Sequence, residues 1–318
     1  MRLVPLVAAL LCAASTPAWA AGPVCGATWH DAARNRDIPV RIRMPAGAGR
    51  APLILFSHGL GGSLDGGTVW GKAWADAGFV VIHLQHPGSD GSILRGAWGR
   101  FGATLKAAMT GDQLRARVAD ASFVLDRLTA LERQGRGREG ACLLSRIDLG
   151  HVGMSGHSFG AHTTQALAGQ VFPAMGAAGA DRRIAASIAF SPSPPQGGPD
   201  AQAMAGIVRP FFSITGTADT TRVLPGVTAA DRERPFRAMP PGGKYLLVLK
   251  DATHADLGGN PAGMRRPQAD ARVSRIVIDA TTAFWRWTLL GDARAKAALD
   301  SPAGIRAELA PGDRLERK

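Results

Sequence analysis

The segment Gly156-His157-Ser158-Phe159-Gly160 carries more information about the fold of this chain than any other. It spells G-x-S-x-G, follows an apolar run at 147–154 and precedes an alanine-rich stretch at 161–170. The run predicts a strand and the stretch predicts a helix, so Ser158 occupies a sharp turn between the two. Because the flanking glycines lack side chains that would clash in such a turn, we expect the serine hydroxyl to project above the end of a sheet.

Strand-like and helix-like segments alternate along the rest of the chain, which is typical of an α/β fold. In such a fold, helices cover both faces of a mostly parallel central sheet. The other predicted strands are 38–44, 53–57, 79–84, 184–190, 210–215 and 245–249. The other predicted helices are 70–77, 112–133 and 273–290. Three irregular insertions, 92–111, 192–206 and 222–243, are expected over the carboxyl ends of the strands, where ligands bind in such sheets.

The first 20 residues have the features of an export signal. Arg2 gives a positive start, residues 3–11 are apolar, and Ala18-Trp19-Ala20 fits a signal peptidase site. The predicted organisation is a signal peptide at 1–20, an α/β domain at 21–293 and a polar, peripheral tail at 294–318. No later segment has about 18 unbroken apolar residues, so we expect a periplasmic or secreted protein without stable membrane insertion.

Two cysteines remain after removal of the signal, Cys25 and Cys142. In an oxidising compartment they could form one disulfide between the mature N-terminus and the segment before the strand that leads to Ser158. Two unpaired thiols are equally compatible, since the sequence does not report the distance between them. Neither cysteine lies at a strand-to-helix turn, so neither is expected to be a catalytic nucleophile.

The chain is basic, with 37 lysines and arginines against 25 aspartates and glutamates. The formal net charge of +12 raises nucleic acid or an anionic surface as partner classes. The excess is scattered, however, and the sequence has neither a basic stripe interleaved with aromatic residues nor a nucleic-acid motif. The composition therefore favours a solvated basic surface, and no nucleic-acid partner is expected.

The Ser158 hydroxyl needs a neighbouring base, because serine is a poor nucleophile at neutral pH. His254 is the candidate, since it follows the last predicted strand on a loop that could bring it over the serine. The side chain of His157 should point away from Ser158. We expect His157, His151 and His162 to be packed or hydrogen-bonded residues.

A base of this kind needs a carboxylate that fixes its tautomer and stabilises its protonated form. Asp219 is favoured because it follows a predicted strand at a glycine-marked turn, which gives the chain order Ser158, Asp219, His254. Asp251 and Asp256 are rivals because they flank the histidine. Their closeness in sequence counts against them, because the third group normally reaches the histidine from a neighbouring strand end. A surface-turn aspartate is the alternative interpretation of Asp219.

Two main-chain N–H groups are needed to stabilise the oxyanion that forms when a hydroxyl attacks a carbonyl. We expect one from Phe159, which follows the serine at a helix N-terminus. The other is expected from Leu60 in His58-Gly59-Leu60-Gly61-Gly62, the loop after the predicted strand 53–57. The alternative is that these glycines only make a flexible turn.

Four segments of the chain resemble the α/β-hydrolase superfamily. They are LILFSHGLGG at 53–62, GFVVI at 78–82, HPGS at 86–89 and GHSFG at 156–160. The chain is most similar to the dienelactone-hydrolase-like branch, which includes platelet-activating-factor acetylhydrolases and bacterial polyester hydrolases. The resemblance covers roughly 38–290 and implies an α/β-hydrolase fold. It also implies a Ser-His-Asp carboxylic ester hydrolase that uses neither a metal nor a cofactor.

The chain departs from these relatives in three respects. Dienelactone hydrolases have cysteine where this chain has Ser158, so their substrate is not implied. The animal acetylhydrolases carry their acid just after the strand that follows the serine, but this chain reads Phe190-Ser191-Pro192 there. Asp219 instead matches the acid of the polyester hydrolases. Those enzymes often have an aromatic residue in place of Leu60 and a tryptophan in place of His157, so cleavage of polymers is not implied.

The expected activity is hydrolysis of small or medium carboxylic esters. Ser158, Asp219 and His254 form the expected triad, and Leu60 and Phe159 the expected oxyanion hole. Acyl transfer to an alcohol or amide cleavage on the same triad is an alternative, since nothing in the residues separates these reactions. A non-catalytic binding protein on the same scaffold is disfavoured, because candidates for all three triad members are present.

Overall fold

The structure, a computed structural model, describes residues 22–96, 99–135, 137–173, 175–176, 178–221, 223–261 and 270–318. The predicted signal peptide at 1–20 lies outside these residues. Within them the chain forms an α/β fold around a mixed, mostly parallel sheet of nine strands. The α/β class predicted from the alternating segments is confirmed.

The sheet is built from strands spread over the whole described chain. In chain order they are β1 Val24–Asp31, β2 Arg36–Arg43, β3 Ala51–Ser57, β4 Val80–Leu84, β5 Ile147–His157, β6 Ile184–Phe190, β7 Phe211–Ala218, β8 Lys244–Thr253 and β9 Arg314–Arg317. Across the sheet the order is β1-β2-β4-β3-β5-β6-β7-β8-β9. The six strands from β4 to β8 are parallel, whereas β1, β2 and β9 pair antiparallel at the edges.

Helices cover both faces of this sheet. They are α1 Thr68–Asp76, α2 Phe101–Ala108, α3 Gly111–Arg133, α4 Phe159–Ala168, α5 Asp200–Met204, α6 Arg234–Ala238, α7 Ala271–Leu290 and α8 Ala293–Asp300. None of the helices in the described part of the chain is long and apolar enough to cross a membrane.

Strand β3 shows how the sequence divides the core between the two faces. All seven of its residues are buried, as expected for a strand with parallel neighbours on both sides. Leu53 and Leu55 belong to the apolar cluster that contains the buried stripe of α3, and Ile54 and Phe56 to the cluster that contains Trp74 and the buried stripe of α7. Successive side chains of a strand point to opposite faces, so this continuous apolar run requires helices on both.

The ends of the longest helices follow from their terminal residues. Helix α7, predicted at 273–290, begins after Asp270, whose carboxylate accepts hydrogen bonds from the N–H groups of Arg272 and Val273. It ends at Gly291, which has a φ of 68° that favours glycine. Helix α3 begins after Thr110, whose side chain caps it in the same way.

Both edges of the sheet contain strands that the sequence did not predict. Strand β1 precedes the first predicted strand and pairs with β2 along its whole length. The segment predicted as a peripheral tail from 294 contains most of α8, and also β9, which pairs antiparallel with β8. This end of the chain is therefore part of the sheet.

The sequence left open whether the two cysteines pair, and in the structure they do. A disulfide links Cys25 on β1 to Cys142, with a Cα–Cα distance of 6.1 Å. Their sequence separation is 117, and a cross-link that closes a loop of this order stabilises the folded chain by about 4–5 kcal/mol in the chain-entropy account. The edge strand is thereby held to the segment that enters β5.

Candidate active site

Ser158 lies on a strained turn between β5 and α4. Its φ of 57° and ψ of −114° are unusual for a residue with a side chain. A Cβ atom added to Gly156 would fall on the carbonyl oxygen of Gly160, and one added to Gly160 would fall on the carbonyl oxygen of Ser57. Both glycines are therefore required for the close approach of backbone segments that exposes the serine at the sheet end.

Asp219 holds the ring of His254. It follows β7 and its side chain is fully buried, while His254 follows β8, and the distance from its Nδ1 to Asp219 Oδ1 is 2.7 Å. Burial disfavours the charged carboxylate, but the hydrogen bond from His254 and the charge of Arg232 lower the pKa of Asp219 below its usual value. The carboxylate is also held by the Thr215 hydroxyl, which donates to Oδ2 at 2.8 Å.

The rival carboxylates are directed elsewhere. Asp256 Oδ2 accepts hydrogen bonds from the backbone N–H and the hydroxyl of Thr253, at 2.8 and 2.6 Å. Asp251 is exposed on β8, and its own N–H donates to Thr217. Among the described residues, no hydrogen bond joins either carboxylate to His254.

The loop after β3 passes directly against the serine. A Cβ atom added to Gly59 would lie 3.5 Å from Ser158 Cβ, so the predicted oxyanion loop and the strained turn are in contact. The N–H of Gly61 donates to Ser89 O at 2.9 Å and thereby holds the loop in place. In the described part of the chain, the N–H groups of Leu60 and Phe159 donate to no backbone carbonyl. Both amides therefore remain available to an oxygen placed beside Ser158.

Four of the five predicted site residues, Leu60, Ser158, Phe159 and His254, line one cavity of about 200 Å³. The fifth, Asp219, does not line the cavity and contacts it only through His254. No hydrogen bond of the described residues joins Ser158 Oγ to the His254 ring. Such contacts are often long in unliganded sites and shorten when substrate is bound.

His157, which precedes the serine, supports the candidate base. Its ring lies against that of His254, with centroids 4.6 Å apart, and its Nε2 lies 2.9 Å from the backbone oxygen of His254. A carbonyl oxygen only accepts, so Nε2 carries the proton. Burial, aided by the charge of His254, lowers the pKa of His157 to about 3, and the ring is therefore neutral near pH 7. This agrees with its prediction as a packed, hydrogen-bonded residue.

The other two histidines that were predicted to be packed or hydrogen-bonded, His151 and His162, agree with that prediction. His151 is exposed and its Nδ1 lies 2.7 Å from Asp148. His162 packs edge-on against Phe159 and Phe172, at centroid distances of 5.9 and 6.0 Å, and it borders the cavity.

A buried polar network next to the candidate oxyanion loop was not predicted from the sequence. His86 contacts Asp120 through Nδ1 and Ser57 through Nε2, each at 2.9 Å. These three side chains imitate a serine triad, but all are fully buried, so no substrate reaches them. Asp120 is also paired with Arg34 and Arg36, at 2.7 and 2.8 Å.

Arg117 connects this network to both candidate oxyanion donors. Its guanidinium is fully buried, donates to the carbonyl of His58 at the start of the loop, and donates to Ser89 Oγ at 2.8 Å. It also donates to Thr163 Oγ1 on α4 at 3.1 Å and lies 4.8 Å from the ring centre of Phe159. The sequence contained one signal for this role of Arg117, which is a charged residue within the apolar stripe of the helix predicted at 112–133.

The comparisons with known proteins give no independent family assignment. No protein-family model matches the chain, and no curated protein matches it. Among the described residues, no group of three or more histidine, cysteine, aspartate or glutamate side chains is arranged to hold a metal ion.

Proposed function

We propose that this protein is an exported serine carboxylic ester hydrolase with an α/β-hydrolase fold. The observation that carries the proposal is the 2.7 Å contact between His254 and buried Asp219 at a cavity that Ser158 also lines. The strained turn at Ser158, entered from a parallel strand, supports the fold assignment. The predicted signal at 1–20 and the Cys25–Cys142 disulfide support export, because disulfides persist in oxidising compartments.

Acylation is the first half of the proposed reaction. Ser158 Oγ attacks the ester carbonyl carbon while Nε2 of His254 takes the serine proton. The charge of Asp219 stabilises the imidazolium, and the N–H groups of Leu60 and Phe159 stabilise the oxyanion. When the tetrahedral intermediate collapses, the bond to the alcohol oxygen breaks and His254 gives its proton to that oxygen. The acyl group is then esterified to Ser158.

Deacylation repeats the same proton transfers with water. His254 takes a proton from a water molecule, whose oxygen attacks the acyl carbon. The second intermediate collapses with cleavage of the bond to Ser158 Oγ, and His254 returns the proton to that oxygen. The carboxylic acid leaves and the free serine is restored.

The direct test is Ser158→Ala. Turnover of p-nitrophenyl acetate should fall at least about a thousandfold, because the nucleophile is lost while the rest of the site remains. A fluorophosphonate probe should label the wild-type protein and fail to label this variant. Ser145→Ala, at an exposed serine, is the matched control and should turn over and label like wild type. Unchanged turnover in a folded Ser158→Ala protein would refute the proposal.

A further inference from the structure

A second cavity of about 210 Å³ adjoins the candidate catalytic cavity. The two share three lining residues, Met109, Phe159 and His162. Phe159 is also the residue whose N–H is a candidate oxyanion donor, so the second cavity opens within one residue of the reacting serine.

The geometry of a tetrahedral intermediate determines which part of an ester would enter this cavity. The intermediate carbon carries Ser158 Oγ, the oxyanion, the alcohol oxygen and the acyl group. The oxyanion must face the amides of Leu60 and Phe159, and the alcohol oxygen must face His254, which protonates it. The described lining of the second cavity lacks His254 and every other residue from the loops after β7 and β8, so the cavity lies on the acyl side.

The lining of the second cavity is mainly apolar. Leu114 of α3, Phe172, Pro173 and Pro194 form its walls together with the three shared residues, and none of the described lining residues carries a fixed charge. His162 is neutral near pH 7, because burial, aided by the charges of Arg232 and Arg117, lowers its pKa to about 4. Such walls favour an uncharged, apolar group over a carboxylate.

The size of the cavity limits the group further. An apolar cavity of about 150 Å³ holds benzene. At about 210 Å³, this cavity has room for an aromatic ring with a small substituent, or for a short or branched alkyl chain. We propose that the second cavity is the acyl pocket, and that the protein prefers esters of uncharged aryl or short-chain alkyl carboxylic acids. This inference rests on the proposed function.

The first experiment measures kcat/KM for p-nitrophenyl esters that differ only in the acyl group. Butyrate and benzoate should exceed acetate by at least about tenfold, since each methylene held in an apolar pocket contributes severalfold or more. The kcat/KM values for dodecanoate and for a succinate half-ester should be well below that for butyrate. The dodecanoyl chain is too long for the cavity, and the succinyl group carries a charge. A flat profile from acetate to dodecanoate would overturn the inference.

The second experiment changes the size of the pocket at Leu114, which is 5% exposed. Leu114→Phe should shift the preference toward acetate, and Leu114→Ala should shift it toward longer acyl chains. Leu131 lies on the same helix, is equally buried, and borders neither cavity, so Leu131→Phe and Leu131→Ala are matched controls. These should lower the melting temperature without changing the acyl preference. Opposite shifts at Leu114 cannot result from partial unfolding, and Leu114→Ala suffices if Leu114→Phe fails to fold.

A parallel series of acetate esters varies the alcohol instead. The Leu114 variants should affect all members of that series equally, and a shift confined to the alcohol series would assign the cavity to the leaving group and overturn the inference. The two proposals can fail separately. If acetate turnover depends on Ser158 but the Leu114 variants do not change the acyl preference, only the acyl pocket is refuted. Turnover that survives Ser158→Ala refutes the proposed function itself.

Discussion

The carboxylate of Asp219 is buried against both His254 and Arg232, so its charge is the main electrostatic partner of the proposed base. Asp219→Asn removes that charge, and the new amide N–H can favour the wrong tautomer of the histidine. We therefore expect kcat for p-nitrophenyl butyrate to fall about 10⁴-fold, as when the same change is made in a serine protease triad, with a much smaller change in KM. Steady-state kinetics on a variant with a wild-type circular dichroism spectrum would measure this.

The neighbouring aspartates supply the controls for that prediction. Asp251→Asn changes an exposed side chain and should keep nearly full turnover. Asp256→Asn weakens the two hydrogen bonds from Thr253, because the acceptor loses its charge, and should lower stability more than kcat. If Asp251→Asn inactivates the protein while Asp219→Asn does not, the acid has been assigned to the wrong residue.

The sequence marks each residue of the candidate triad, and the structure brings Asp219 and His254 into contact, but the surroundings of the triad could not be predicted. Ser158 is marked by its glycines, and Asp219 and His254 are marked by their positions after strands. The role of His157 is different, because its contact with the His254 ring joins residues 97 positions apart. The sequence indicates that such a histidine is packed, and only the fold determines what it packs against.

At the scale of elements, helix α3 contacts the candidate oxyanion loop through Arg117. The guanidinium donates to the carbonyl of His58 and to the hydroxyls of Ser57, Ser89 and Thr163. Arg117→Met keeps most of the side-chain volume but removes these hydrogen bonds. The three hydroxyls keep other partners, whereas the buried carbonyl of His58 loses its donor, at a cost of about 1–3 kcal/mol for a group left unsatisfied. We expect a lower melting temperature and a fall in kcat of about tenfold to a hundredfold, because the Leu60 amide is no longer fixed.

Comparing the effect on kcat with the effect on KM distinguishes a positioning role of Arg117 from a general loss of stability. KM should change little in Arg117→Met, since the residue does not line the cavity. Arg127→Met, on the same helix but partly exposed, should leave both constants at wild-type values. Normal kcat in a folded Arg117→Met protein would mean that the network only stabilises the fold.

Strands with long apolar runs could be predicted, and edge strands with few buried apolar residues could not. Strand β6 has the predicted bounds, and β3 and β4 differ from theirs by one or two residues. Strand β9 reads Arg-Leu-Glu-Arg and buries only Leu315, so its sequence has no strand-like pattern. Every second residue of strand β1, from Val24 to His30, is exposed, and the strand has no long apolar run. Edge strands of this kind are formed by hydrogen bonds to a neighbour that the sequence does not reveal.

At the scale of the whole molecule, the parallel sheet explains why distant residues meet. Leu60, Ser158, Asp219 and His254 follow four strands, β3, β5, β7 and β8, that point the same way. The three insertions predicted to cover this edge each contribute to a cavity wall, with Met109, Pro194 and Leu224 as examples. The location of the candidate site could therefore be predicted from the positions of these residues after parallel strands, but the shape of the pocket could not.

The molecule also buries neutral histidines, which makes its stability depend on pH. His83 is 1% exposed, and burial, aided by the charge of Arg43, lowers its pKa to about 3. Unfolding restores a pKa of about 6.5 at this histidine. Between pH 6.5 and pH 3 the unfolded chain therefore binds one more proton there than the folded chain does. Lowering the pH through this range lowers the free energy of unfolding, by about 1.4 kcal/mol per pH unit at full effect. Urea unfolding at pH 7, 6, 5 and 4 should show this decline, and His83→Gln should make it shallower whatever its own stability. An identical pH slope in the variant would mean that His83 takes up no proton on unfolding.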